Sequence, residues 1–126
     1  MPFVDLSAFP ATPTDFGRWQ PLNAPLGLGA FGINAIECYP GEVIDTSHDE
    51  TDTGQHEAYI VVAGRAEFRV GDDVFEAGPG IVVAAPDPAS TRSFRPLEQG
   101  TRIICVGAVP HDDDPAFGDW IESAGP

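Results

Sequence analysis

The sequence predicts one all-β domain, a small barrel or sandwich of short strands, and three observations carry that prediction. Turn formers are abundant, with 14 glycines and 13 prolines in 126 residues, which suits many short strands better than long helices. They recur at short intervals, at Gly41, Gly54, Gly64, Gly71, Gly78-Pro79-Gly80, Pro86 to Pro88, Gly100 and Pro110. Between them lie runs rich in Val, Ile, Phe and Tyr, at 57–63, 65–70, 73–76, 80–85, 91–96 and 101–109. Strand-sized runs between regular turn signals are the pattern of a sandwich or barrel. A chain of this length buries one core, so residues 1–126 are read as a single domain.

The elements follow in order. Residues 1–25 are spaced by Pro2, Pro10, Pro13, Pro21 and Pro25 and read as an extended arm laid over the body, with room for a short edge strand. The barrel is expected over 26–110. It opens with LGLGAFGINAIECYPGE, a strand of about eleven residues ended by the turn pair Pro40-Gly41. Val70-Gly71-Asp72-Asp73-Val74 reads as a hairpin whose turn is supplied by Gly and Asp, which tolerate positive φ. A C-terminal helix is expected within 111–126. Asp112-Asp113-Asp114 offers a cap, Pro115 suits a first helical position, and Phe117, Trp120 and Ile121 share one apolar face to dock on the barrel.

Charge excludes whole classes of partner. The net charge is −14, lysine is absent and all six basic residues are arginine. Such a surface repels phosphate backbones and anionic membranes, so neither nucleic acid nor membrane is an expected partner. The N-terminus lacks a basic stretch followed by an apolar run, and no window approaches the roughly 20 apolar residues of a membrane helix. A cytoplasmic protein is expected. Cys38 and Cys105 lack C-x-x-C spacing and read as two free buried thiols rather than a disulfide.

The stretch with the most chemistry is 48–92, opening HDETDTGQHE. Strand alternation puts Glu57, Tyr59, Val61 and Ala63 on one face. If that face looks inward, it carries a carboxylate and a phenol into the barrel, and a buried carboxylate must be paired, metal-bound or protonated. His48, His56 and Glu57 offer a weak divalent-metal set of two imidazoles and a carboxylate. His56 and Glu57 are adjacent, however, so only a bulge or loop at His56 lets both reach one ion. Asp45, Asp49, Glu50 and Asp52 read as a solvated acidic loop around His48. In PDPASTRSFR, an inward Arg92 pairs Glu57 or presents a fork to an anionic substrate, and it opposes a cation there.

These residues resemble the cupins, a family of small double-stranded β-helix or jelly-roll barrels. The first cupin motif runs from a glycine through a histidine pair and a glutamate to a closing glycine. Gly41 opens it here, His48 is one histidine of the pair, and Glu57 stands seven positions before Gly64. In the second motif Gly80 and Pro86 match, Pro88 replaces a glycine, and either Thr91 or Arg92 occupies the histidine position. The chain is also similar to small bacterial single-domain cupins of unassigned activity. Gly32-Ile33-Asn34-Ala35, His48-Asp49-Glu50, His56-Glu57, Gly64-Arg65-Ala66, Asp87-Pro88, Arg92 and Trp120-Ile121-Glu122 carry that similarity. Metal-binding cupins use three histidines and a glutamate, so this departure implies a metal that is weak or absent, with no other cofactor.

The resemblance implies a cupin barrel that binds a small molecule in its interior. The expected ligand-binding residues are Asn34, Tyr59, Thr91, Arg92 and Phe94, with His48 at the same pocket and His56 or Glu57 as general acid or base. A metal-independent lyase, isomerase or cyclase step fits that set. Two alternatives stand beside it. One is a metal-dependent oxygenase using His48, His56 and Glu57. The other is a non-catalytic sensory or structural barrel filled by Tyr59, Phe68, Phe75 and Phe94. A homodimer through a sheet edge or the arm is expected from the need to cover edge strands.

Overall fold

The computed structural model describes residues 2–15, 17–39 and 47–110. The expected C-terminal helix and His111 lie outside the described residues, as does the Pro40-Gly41 turn.

Nine strands and one helical turn are found among the described residues. In chain order they are β1 (Thr12–Thr14), β2 (Gly17–Pro21), α1 (Asn23–Leu26), β3 (Gly32–Cys38), β4 (His56–Ala63) and β5 (Ala66–Val70). Then come β6 (Asp73–Ala77), β7 (Val82–Ala85), β8 (Arg92–Pro96) and β9 (Thr101–Ala108). All described pairings are antiparallel, in a six-stranded sheet ordered β1-β2-β3-β9-β4-β7 and a three-stranded sheet ordered β6-β5-β8. From β4 the chain passes to β5 and β6 in the small sheet, returns at β7, crosses at β8 and returns at β9. This alternation wraps the chain into the expected jelly-roll barrel.

Side-chain alternation decides what lies between the sheets. Along β9 the inward set is Thr101, Ile103, Cys105 and Gly107, each buried, while the residues between them are half-buried. Register places Tyr59 opposite Cys105 and Val83, and Val61 opposite Ile103. Those side chains meet Ala66, Phe68 and Phe94 of the small sheet in one core. A one-residue bulge after Val61 lets Ala63 pair with Arg102 and turns Val62 outward.

Three features differ from the sequence reading. The first inner strand is shorter than expected, beginning at Gly32, because Asn23 ties the preceding residues into a loop. Its Nδ2 donates to the carbonyls of Leu28 and Phe31, and its Oδ1 accepts from the Ile33 N–H. Asn23–Leu26 forms a helical turn instead, closed by Gly27 at φ 66°. The body of the barrel also starts earlier, since β2 pairs along β3 as a member of the large sheet. The arm before it is pinned by Gln20, which is buried and donates from Nε2 to the carbonyls of Leu6 and Phe9.

Both cysteines are buried, and no disulfide joins them. Cys38 pairs with Thr101 and Cys105 with Asn34, a separation of roughly 13 Å along the strands, beyond disulfide reach. No helix among the described residues is long and apolar enough to cross a membrane.

Gly64 closes the turn between β4 and β5 at φ +74°, and a Cβ there would come within 2.6 Å of the Thr101 Cα. Thr101 is buried and holds the same turn, its hydroxyl donating to the Glu98 carbonyl at 2.7 Å with the Arg65 carbonyl 3.1 Å away. Gly64→Ala is expected to cost at least about 2 kcal/mol, from left-handed strain plus a backbone clash. Urea denaturation of the variant measures it, and a cost within a few tenths of wild type would contradict this packing.

Candidate functional site

One end of the barrel carries a polar cluster built on Glu57. Strand period turns Glu57 inward beside Tyr59, as expected, opposite Gly107 on β9 and Ala85 on β7. Gly107 is needed there, because a Cβ would meet Gln55 Oε1 at 2.7 Å and Glu57 Cγ at 3.4 Å. The glutamate side chain lies across the space a larger residue would fill.

Arg92 comes from the opposite sheet and is 1% exposed. The turn after Pro86 shapes its receptor. Asp87 Oδ1 accepts the Ala89 N–H, and the Ser90 N–H donates to the Asp87 carbonyl. Within that turn the Asp87 carbonyl accepts Arg92 Nη2 at 2.7 Å and the Ser90 carbonyl accepts Nε at 3.1 Å. Nη1 then donates to Glu57 Oε1 at 2.8 Å. Glu57, with its side chain 8% exposed, receives further donors: Tyr59 Oη at 2.9 Å on Oε1 and Cys105 Sγ at 3.3 Å on Oε2.

His48 closes the cluster at the solvent side, 43% exposed. A bridge to Arg92 positions it, each residue's N–H donating to the other's carbonyl, at 3.0 and 2.8 Å. Its Nε2 lies 3.3 Å from Glu57 Oε1 and 3.1 Å from Glu50 Oε1. Glu50 is placed by its N–H to the Pro88 carbonyl and by Thr53 Oγ1, which donates to its Oε2. Glu50 thus belongs to the site, not to a freely solvated loop.

These contacts set the charge states. Burial pushes the Glu57 carboxyl up, but hydrogen bonds from Arg92, Tyr59 and Cys105 and the nearby His48 together hold it below its ordinary value. Burial, reinforced by Glu57, pushes both the Tyr59 phenol and the Cys105 thiol up. Glu57 is therefore the anion of the cluster, and Tyr59 and Cys105 stay protonated donors.

The set meets the donor requirements of a divalent ion in part. Ligand atoms of His48, Glu50 and Glu57 all lie within 4.8 Å of one another, and bonds of about 2.1 Å need donors roughly 3 Å apart. Against this, the Arg92 guanidinium already occupies Glu57 Oε1 and adds a fixed positive charge. A cation here would have to compete with it.

Several expected residues meet and others do not. Glu57, Tyr59, Arg92 and His48 converge. Asn34 faces the same interior one row away, opposite Cys105. Phe94 is buried against Tyr59 and Phe68, with ring centroids 5.9 and 5.5 Å away. Thr91 is exposed while Arg92 is buried, which settles their register. His56 is corrected: with no bulge at its position, it pairs with Ala108 on the outer face and is exposed, so it does not join Glu57. Of the two expectations for an inward Arg92, the pairing with Glu57 is the one formed, and its Nε and Nη2 donate to backbone carbonyls as well. Glu50, Cys105 and Gly107 were not anticipated as members of this cluster.

No family model matches the sequence, and no curated protein matches it at a significant level. Solved structures do. The cupin domain of Schizosaccharomyces pombe Cnp3 aligns over 98% of this chain and 82% of its own at TM-score 0.69 and 12% identity. The chain has the cupin fold. A sugar phosphate isomerase of the cupin superfamily from Silicibacter pomeroyi aligns over 86% of this chain and 76% of its own, at TM-score 0.65 and 18% identity. A candidate sugar phosphate isomerase from Acidithiobacillus ferrooxidans is 23% identical at TM-score 0.59 over 71% of this chain. The match spans 57% of that protein's length.

Two outcomes are expected of the ion pair in this cupin barrel. Arg92→Met leaves a buried carboxylate without its cation and should cost roughly 3–5 kcal/mol in urea unfolding, whereas Arg92→Met with Glu57→Gln should recover much of it. If the double variant is no more stable than the single one, the pair is not coupled. The second outcome concerns acid. Glu57 is lowered in the folded state, so its contribution is complete above its unfolded pKa of about 4.3 and is lost as pH falls toward the folded value. Glu57→Gln should lack that component of acid destabilisation, as stability curves below pH ~4.5 would show.

Proposed function

We propose that the Glu57 end of the barrel binds a small polar molecule, uncharged or cationic, and moves a proton on it without a resident metal. One observation carries this reading: a single buried carboxylate takes Arg92, Tyr59, Cys105 and His48 together. Arg92 supplies the positive charge that a metal would otherwise bring. Glu57, held ionised, is a weak base but a strong anchor for an imidazolium. In its neutral form the His48 imidazole takes a proton from the bound molecule, and Glu57 and Glu50 offset the charge it gains. Returning that proton at a neighbouring carbon completes an isomerisation, and delivering it instead to a departing hydroxyl, which leaves as water while the double bond forms, completes an elimination; neither needs an oxidant.

The ligand class follows from charge. Asp49 and Glu50 follow His48, Asp87 lies in the turn that holds Arg92, and all three nitrogens of Arg92 donate to protein acceptors. A carboxylate or phosphate would meet net negative potential, so hydroxylated or amine-bearing molecules are favoured. The Tyr59, Phe68 and Phe94 rings pack below the cluster and confine the ligand to this end. The sugar phosphate isomerases of the same fold are compatible in reaction type, though a phosphate is not what this opening would attract.

A second reading is favoured by the spacing of His48, Glu50 and Glu57. Bound there, a divalent ion would polarise an oxygen of the substrate, with those three residues holding it.

Metal analysis after chelation and reloading with iron, manganese, nickel or zinc, beside a thermal-shift screen of polyols, amines and carboxylates, separates the two readings. The expected result is no stoichiometric metal, with stabilisation by polyols or amines that is lost in His48→Ala. One ion per chain, lost in both His48→Ala and Glu50→Ala, would overturn the metal-free reading. Stabilisation by carboxylates alone would overturn the ligand class.

A further inference from the structure

The charged side chains of the Glu57 end are committed to one another, and two neighbouring carboxamides are not. Arg92 donates from Nε, Nη1 and Nη2 to protein acceptors, and Glu57 accepts from Arg92, Tyr59 and Cys105. Gln55 donates its backbone N–H to Thr53 Oγ1. Among the described residues, however, no hydrogen bond engages the side-chain amide of Gln55 or of Asn34, both half-buried. The backbone of β9 shows where the Gln55 amide lies. Gly107 belongs to the inward set of that strand, and a Cβ on it would fall 2.7 Å from Gln55 Oε1 and 3.4 Å from Glu57 Cγ. The amide therefore lies over the inner face of Gly107, beside the buried carboxylate. Register continues that row as Gly32, Gly107, Glu57 and Ala85, so Glu57 is its one large side chain. A Cβ on Gly32 would meet only the Gly107 carbonyl, at 3.5 Å. Asn34 follows in the next inward row, roughly 7 Å further along β3.

We propose that Gln55 determines the specificity of this end by taking a vicinal diol of a neutral polyol, with Asn34 bonding a further hydroxyl. The inference rests on the reading that the Glu57 end binds a small polar molecule, and it narrows the ligand class. A carboxamide presents an acceptor oxygen beside a donor NH2. Two adjacent hydroxyls answer both, because each hydroxyl can donate and accept. An ammonium only donates and leaves Nε2 unanswered, while a carboxylate only accepts and leaves Oε1 unanswered. Gly32 and Gly107 keep the strand wall low, so the carbon chain of the ligand can lie against it. Glu57 then links recognition to chemistry, its Cγ next to the place of the amide and its Oε1 3.3 Å from His48 Nε2.

Titration calorimetry of the full-length protein tests this with three compounds that share one carbon chain. They are erythritol, butanediol bearing terminal hydroxyls only, and putrescine bearing terminal amines only. Erythritol is expected to bind saturably and at least about tenfold more tightly than the other two, the worth of one or two added hydrogen bonds. Gln55→Met keeps the length of the side chain without its amide. It should remove most of that advantage while leaving the urea midpoint where it was. Gly107→Ala, whose Cβ would displace the amide, should do the same with Gln55 still present. Equal binding of erythritol and butanediol would overturn the inference, as would an erythritol response that never saturates, the mark of solvent exclusion alone. Erythritol binding lost in His48→Ala but retained in Gln55→Met would overturn it too, and would leave the reading of the Glu57 end standing. Binding that requires Gln55 and is indifferent to His48→Ala would support Gln55 as the recognition residue and remove His48 from that reading.

Discussion

The buried pairing of Glu57 with Arg92 is the constraint on which the open end of the barrel depends. The two residues come from different sheets, Glu57 on β4 and Arg92 on β8. Neither charge is tolerable alone at this depth. The pair adds little net stability compared with apolar residues of equal size, but it permits only one arrangement. It requires β8 to turn Arg92 inward and the Asp87–Ser90 turn to present two carbonyls. His48 must also bridge to the Arg92 backbone. Glu50 is then anchored by Pro88 of the same turn. A single electrostatic requirement thus organises two loops and two strands.

That requirement also decides what chemistry is available. The Arg92 guanidinium supplies the positive charge beside Glu57, and this cation is covalently part of the chain. Burial, reinforced by the carboxylate that Arg92 neutralises, keeps two neutral donors, Tyr59 and Cys105, in their protonated forms. His48 stands half exposed on the solvent side between two carboxylates, those of Glu50 and Glu57.

Much of this was legible in the sequence, and the exceptions share a cause. Strand positions were legible because glycine and proline mark the turns and side chains alternate between them. The same alternation told that Glu57 and Tyr59 face inward together and that His56 opposes them unless the strand bulges. What it could not tell is register after an irregular segment. Thr91 and Arg92 are separated only by how many residues the Pro86–Ser90 turn absorbs. Glu50 looked like one more acid in a solvated loop because its anchor, the Pro88 carbonyl, lies far along the chain. Gly107 matters only through the Gln55 and Glu57 side chains beside it. The helical turn at Asn23 arises from one side chain bonding three backbone groups of a later loop.

β4 and β9 serve both faces of the large sheet. Inside they carry Glu57, Tyr59 and Cys105; outside, Ala58, Ile60, Ile104 and Val106. Whatever lies on the outer rows therefore bears on the strands that hold the site. The Gln20-pinned arm steadies β2 and β3 from one side, and the bulge after Val61 makes β4 the less regular of the central strands. An uncovered outer face beside that bulge would let β4 shift. A carboxylate that must meet Arg92 at 2.8 Å leaves little tolerance for such movement. The two faces of β4 are thus coupled through one strand, the outer rows bearing on the carboxylate that the inner face presents.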